Sequence, residues 1–104
     1  MQIRQKNQRF NFDKYPNFDR DIDPKQRAWI EINGEAIEKN VRKLKSILSK
    51  SCQFMAVVKA DGYGHDSKVV SEYAIKGGAS QLGVATLKEG IKLRSSGVKK
   101  PILI

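Results

Sequence analysis

Lys59 closes an apolar run at residues 54–58 and opens at once into a polar turn flanked by glycines, the string MAVVKADGYGH at 55–65. An amine at the lip of a pocket, on a stem buried at a strand end, becomes a nucleophile toward carbonyl carbon when desolvation lowers its pKa. Position alone also fits a snorkelling lysine, whose stem lies on apolar surface and whose ammonium is in water. The residues that follow favour the chemical reading. Tyr63 stands four residues on, between Gly62 and Gly64, which let the backbone turn tightly and approach a ligand closely. A phenol hydroxyl in such a loop can donate to a phosphate oxygen. An imine-forming lysine beside a phosphate donor suggests pyridoxal 5'-phosphate, whose aldehyde captures the amine and whose ring acts as an electron sink. His65 is read as a hydrogen-bonding member of the loop, because a lone histidine has no evident metal co-ligand; no metal is expected.

The elements that must place these residues alternate. Residues 28–32 (AWIEI) read as a strand, and Asn33 as the cap of a helix with Glu35 and Glu38 in its first turn. Ile37, Val41, Leu44 and Leu48 then form one apolar helix face. The second strand, 54–58, is apolar throughout, which predicts burial on both faces, as in a parallel sheet. Asp66 is a cap for a second helix, with Val69, Val70, Tyr73 and Ala74 facing inward and Gly77-Gly78 ending it. Residues 81–85 (QLGVA) form a third strand. Thr86 with Glu89 three residues later is a capping box that starts a third helix. Gly97 stops that helix, and Pro101 precedes a fourth strand at 102–104.

The order βαβαβαβ implies a parallel sheet with right-handed crossovers. By itself it leaves a doubly wound sheet and a barrel both open. In either, reactive groups gather at the C-terminal ends of the strands, where Lys59 lies. Four strands leave open apolar edges, so the chain is expected to be a piece of a longer protein.

Residues 1–27 differ in character. Phe10, Phe12, Tyr15 and Phe18 are scattered among polar residues without a steady period, and Pro16 and Pro24 interrupt the segment. It is read as a flexible polar and basic N-terminal extension preceding the unit at 28–104. Of the net charge of +9 over 104 residues, this segment carries +3. Basic and aromatic residues together can stack on single-stranded nucleic acid, but four aspartates share the segment and would repel phosphates. Nucleic acid is therefore not the expected partner. The lysines at 39, 43, 45 and 50 are explained by a solvated helix surface. No run of about 18 apolar residues predicts a membrane span, and the N-terminus has no apolar core of a signal peptide. Cys52, the one cysteine, excludes an internal disulfide and suits a reducing cytoplasm.

The strings AWIEIN (28–33), EAIEKN (35–40), AVVKADGYGH (56–65), LGVAT (82–86) with Glu89, and PILI (101–104) occur in this order. Together they resemble the start of the N-terminal domain of the alanine racemase family. The resemblance covers residues 28–104, and its lysine segment is the most specific part. It implies an α/β fold made of the first four strands and three helices of a (β/α)8 TIM barrel, truncated here, with a β domain following in the family and a homodimer as the working unit. It implies pyridoxal 5'-phosphate as cofactor and alanine as the small-molecule substrate, L- and D-alanine being interconverted for peptidoglycan of the cell wall. Lys59 matches the family's internal-aldimine lysine, which is also the acid/base on one face of the substrate's α-carbon. Tyr63 matches the loop tyrosine that contacts the cofactor phosphate. The opposite base in the family is a tyrosine from the partner's C-terminal domain, so this chain alone is expected to be inactive. Asp66 departs from the pattern, standing where glycine commonly follows the histidine, and Gly62 stands where alanine is frequent. Another amino-acid racemase or decarboxylase on the same barrel, and a non-catalytic cofactor-binding protein, are the alternative readings.

Overall fold

The computed structural model describes residues 2–6 and 29–104. The elements run β1 (Gln2–Lys6), β2 (Trp29–Asn33), α1 (Gly34–Ser46), β3 (Met55–Val57), a one-turn segment α2 (Lys59–Tyr63), α3 (Ser67–Gly77), β4 (Gln81–Gly83), α4 (Leu87–Ser95) and β5 (Ile102–Leu103). From β2 onward this is the expected alternation, with β2 shifted one residue later and β3, β4 and β5 one or two residues shorter than expected. The strands form two parallel sheets, β1-β2 and β3-β4-β5.

Two features of the strand arrangement differ from the sequence reading. Gln2–Lys6, within the segment read as an irregular extension, is a strand paired in parallel with β2, with Ile3 opposite Ile30. The rest of that segment, including its four aromatics, lies outside the described residues. In addition, β2 pairs with β1 rather than with β3, so the four expected strands do not form one continuous sheet.

Helix boundaries follow the capping chemistry. The Asn33 side chain accepts from the Ala36 N–H at 3.0 Å. Asp66 accepts from Lys68 and Val69 at the start of α3, and α3 stops at Gly78, whose φ of 111° only glycine adopts readily. Thr86 and Glu89 form the capping box of α4 reciprocally.

The core lies between the three-stranded sheet and the helices. In register, Ala56 faces Leu82 and Leu82 faces Ile102. Val58, Leu82 and Leu93 are buried to within 1% of full burial, with Ala56, Val70, Ile75, Val84, Val98 and Ile102 packed around them. Burial of such an aliphatic side chain contributes about 2 kcal/mol. A second contact is made by α1 on α3, where Gly77 lies so close to Val41 and the Glu38 carbonyl that a Cβ there would come within 2.7 Å of both. Tyr73 packs with Ile32 and Val69 under Gly34.

Burial on both faces of the second strand is not observed. Alternation sends Ala56 and Val58 toward the helices, while Val57 is 49% exposed on the other face. On that second face Met55 is half-buried and a Cβ built on Gly83 would come 3.2 Å from its sulfur. The apolar stripe of α1 is also only half used: Ile37 and Val41 pack inward, and Leu44 and Leu48 are exposed. α1 ends at Ser46, before Leu48, and α3 turns away at Gly78 beside Lys45, leaving Leu44 beyond the end of its partner helix. No helix among the described residues is long and apolar enough to cross a membrane.

Candidate active site

Strand β3 delivers Lys59 to the C-terminal end of the sheet. The pairing with β4 continues one residue past the strand, since the Val58 N–H donates to the Gly83 carbonyl at 2.8 Å. Val58 is anchored in the core, so the residue after it leaves the sheet from a fixed point. Val58, with φ of −123° and ψ of 22°, already departs from the extended conformation, so the chain leaves the pleat just before Lys59. Lys59 itself is exposed. This corrects the expectation of a buried stem: Lys59 lies past the last extended residue of β3, at the surface.

The turn that follows is wound left-handed over consecutive residues. Ala60, Asp61, Gly62 and Tyr63 have φ of 51°, 54°, 66° and 55°, and Gly64 continues at 83°. Only Gly62 and Gly64 take this region without steric cost. A non-glycine residue there loses about 1–2 kcal/mol against the right-handed form, so Ala60, Asp61 and Tyr63 hold strained backbone. Such strain persists where the surroundings over-determine it, and it concentrates at functional sites. The turn closes internally through Gly62 N–H to the Val58 carbonyl at 2.9 Å and Gly64 N–H to the Ala60 carbonyl at 3.0 Å.

Two carboxylates hold the turn, Asp61 from within it and Glu89 from α4. Asp61 Oδ1 accepts from the Ser67 N–H at 3.2 Å and the Ser67 hydroxyl at 3.1 Å, and pairs with Lys92 Nζ at 2.8 Å. The Lys92 ammonium, followed by the Ser67 backbone N–H, holds the Asp61 carboxyl below its ordinary pKa, and Lys92 is raised in return. Glu89 Oε1 accepts from the Ala60 N–H at 2.7 Å, while its Oε2 accepts from Ala85 at 2.9 Å and Thr86 at 3.0 Å. The N–H groups of Ala85 and then Ala60 lower the Glu89 pKa.

Lys59 and Tyr63 therefore open and close one strained turn at a strand end. Tyr63 is 59% exposed. The His65 ring Nδ1 donates to the Gly62 carbonyl at 3.2 Å, a bond within the loop. Among the described residues no group of three or more His, Cys, Asp or Glu side chains is assembled to hold a metal. Cys52 is exposed and free, well before the turn. Glu89 and Asp61 were not singled out as site residues from the sequence. The capping box located Glu89 on α4, but its bond to the lysine turn spans 29 positions and leaves no local signal.

The chain spans about a fifth of the length of the curated relatives it matches. Over 83 residues it is 54% identical to the alanine racemase of Prochlorococcus marinus, covering 80% of this chain and 22% of that protein. Over 79 residues it is 57% identical to the alanine racemase of a Nostoc species, covering 76% and 20% respectively. Among solved structures, the alanine racemase from E. faecalis superposes with a TM-score of 0.68 at 46% identity, over 68% of this chain and 19% of that one. The Bacillus anthracis alanine racemase with bound L-Ala-P gives 0.67 at 39% identity, over 68% of this chain and 18% of that one. The family model described as alanine racemase, N-terminal domain, matches residues 32–104. With its parallel βα units and its lysine-bearing turn, the chain belongs to the alanine racemase family.

Proposed function

We propose that this chain is the N-terminal, lysine-bearing part of a cytoplasmic, pyridoxal-phosphate-dependent alanine racemase that interconverts L- and D-alanine, with D-alanine destined for the peptidoglycan of a bacterial cell wall. The observation that carries this reading is the exposed Lys59 at the C-terminal end of β3, followed by the left-handed turn that presents Tyr63. The donor set fits the cofactor. A primary amine at a strand end suits an aldehyde, and a phenol hydroxyl four residues on suits a phosphate oxygen. At Gly64 a Cβ would meet nothing within 4 Å, so the space beside the turn is open.

When bound, pyridoxal phosphate supplies an aldehyde for an amine and an electron-poor ring that acidifies the proton on a substrate's α-carbon. Lys59 would hold the cofactor through its Nζ and, once that amine is displaced by the substrate's, take or return the α-proton on one face. Tyr63 would donate its hydroxyl to the phosphate. Val58, fixed in the core, sets the point from which Lys59 reaches the α-carbon. Inversion at one carbon requires a second base on the opposite face, which in this proposal comes from the partner subunit of a homodimer. That the matched relatives are named alanine racemases favours alanine over other amino-acid substrates.

The reading is tested in the full-length protein with added cofactor. Interconversion of L- and D-alanine is expected, together with a loss of about 10³-fold or more in Lys59→Ala. Unchanged turnover in that variant would rule out the assigned role.

A further inference from the structure

We propose that Glu89 is a positioning residue for Lys59, its carboxylate tying the backbone immediately after the lysine to the start of α4. The inference rests on the reading of Lys59 as the cofactor-binding amine, but its evidence is independent of that reading. The two oxygens of Glu89 serve two different strand ends. Oε1 takes the N–H of Ala60, which follows β3, and Oε2 takes those of Ala85 and Thr86, which follow β4. One side chain thus bridges the C-terminal ends of two adjacent parallel strands. The bond to Ala60 falls at the first left-handed residue of the turn, whose backbone carries a steric cost. The capping role of Glu89 in α4 requires only the Thr86 N–H. The Ala60 bond at 2.7 Å exceeds that role, and it is made to the backbone of the residue next to Lys59.

Side-chain size distinguishes the bridge from the cap. Aspartate at this position is one carbon shorter, and glutamine has one acceptor oxygen with a donor in place of the other. Glutamine can satisfy one strand end and opposes an N–H at the other. Thr86→Ala removes the hydroxyl that accepts from the Glu89 N–H at 3.2 Å and leaves the carboxylate intact. This variant therefore weakens α4 without touching the bond to Ala60.

The experiment uses the full-length protein stripped of cofactor and exposed to pyridoxal phosphate, with the rate of borohydride-trapped label on Lys59 followed by peptide mapping. Label on Lys39 and Lys43 serves as the reference. In Glu89→Ala the Lys59 rate is expected to fall about tenfold against the reference lysines, with faster amide exchange at Ala60. Glu89→Gln is expected to fall about threefold, retaining one of two acceptors, and it carries the test if the alanine variant does not fold. Thr86→Ala is expected to stay within about twofold of wild type, the size of a lost hydroxyl cap acting at a distance. Equal labelling of Lys59 in wild type and Glu89→Gln would overturn the proposal. So would a loss in Thr86→Ala as large as that in the glutamate variants, since it would show a merely structural effect. Label absent from Lys59 in the wild type would instead overturn the assignment of the lysine itself, an outcome distinct from either.

Discussion

The Ala60 N–H donates to Glu89 Oε1 at 2.7 Å, joining the residue after Lys59 to the first turn of α4 across 29 positions of sequence. Around this bond the ends of β3 and β4 are set against each other, and the left-handed turn acquires a fixed start. Asp61, bonded to Ser67 and Lys92, secures the middle of the same turn. The lysine is thus placed by backbone that its own neighbours would not adopt unaided.

Acid should loosen this arrangement. The folded-state pKa values of Glu89 and Asp61 both lie below their ordinary ones, Glu89 through the N–H groups of Ala85 and Ala60, and Asp61 first through Lys92. Stability from a lowered carboxyl is fully present above the unfolded value and is lost as pH falls through the folded one. The window is therefore below about pH 4. Amide exchange at Ala60 and Ser67, corrected for intrinsic rates, should accelerate there in wild type. In Glu89→Gln the Ala60 amide should lack this acid-dependent step.

The backbone strain at Ala60 gives an independent check. Glycine pays no steric cost at φ of 51°, whereas a β-branched residue pays more than alanine. Ala60→Gly is expected to be neutral or to stabilise by up to about 1 kcal/mol, and Ala60→Val to destabilise by about 1–2 kcal/mol. Denaturant midpoints of the two variants would decide. The opposite order would mean that the turn is not left-handed at this residue.

Gly77 should tolerate no side chain. A Cβ would stand 2.7 Å from both the Glu38 carbonyl and the Val41 Cβ, and neither neighbour is the free end of a flexible group. Gly77→Ala is expected to cost about 1–3 kcal/mol by forcing α1 away from α3, despite the better helix propensity of alanine. A thermal midpoint that rises in this variant would contradict the close approach of the two helices.

Much of this was legible in the residues themselves. Asn33, Asp66 and Thr86 with Glu89 marked three helix starts, because capping is a local exchange between a side chain and backbone two or three residues away. Lys59 stood out as a candidate because an apolar strand ending in a lysine and followed by a glycine-flanked tyrosine is unusual. The left-handed winding of Ala60 and Asp61 was not legible, since neither residue prefers that region and long-range bonds keep them there. The same holds for the Glu89 bridge, for the pairing of β2 with β1, and for the exposure of Leu44, which depends on where α3 ends. Each is decided by what the chain meets far along the sequence, which local pattern does not record.

The central claim is that Lys59 is the amine that takes the cofactor. Its most direct test is borohydride reduction of the full-length protein in the presence of pyridoxal phosphate, followed by mapping of the labelled peptide. The expected result is one stable label, on Lys59 in the segment 55–65, that disappears in Lys59→Ala. Label that persists at the same level in that variant, or that falls on another lysine in the wild type, would contradict it.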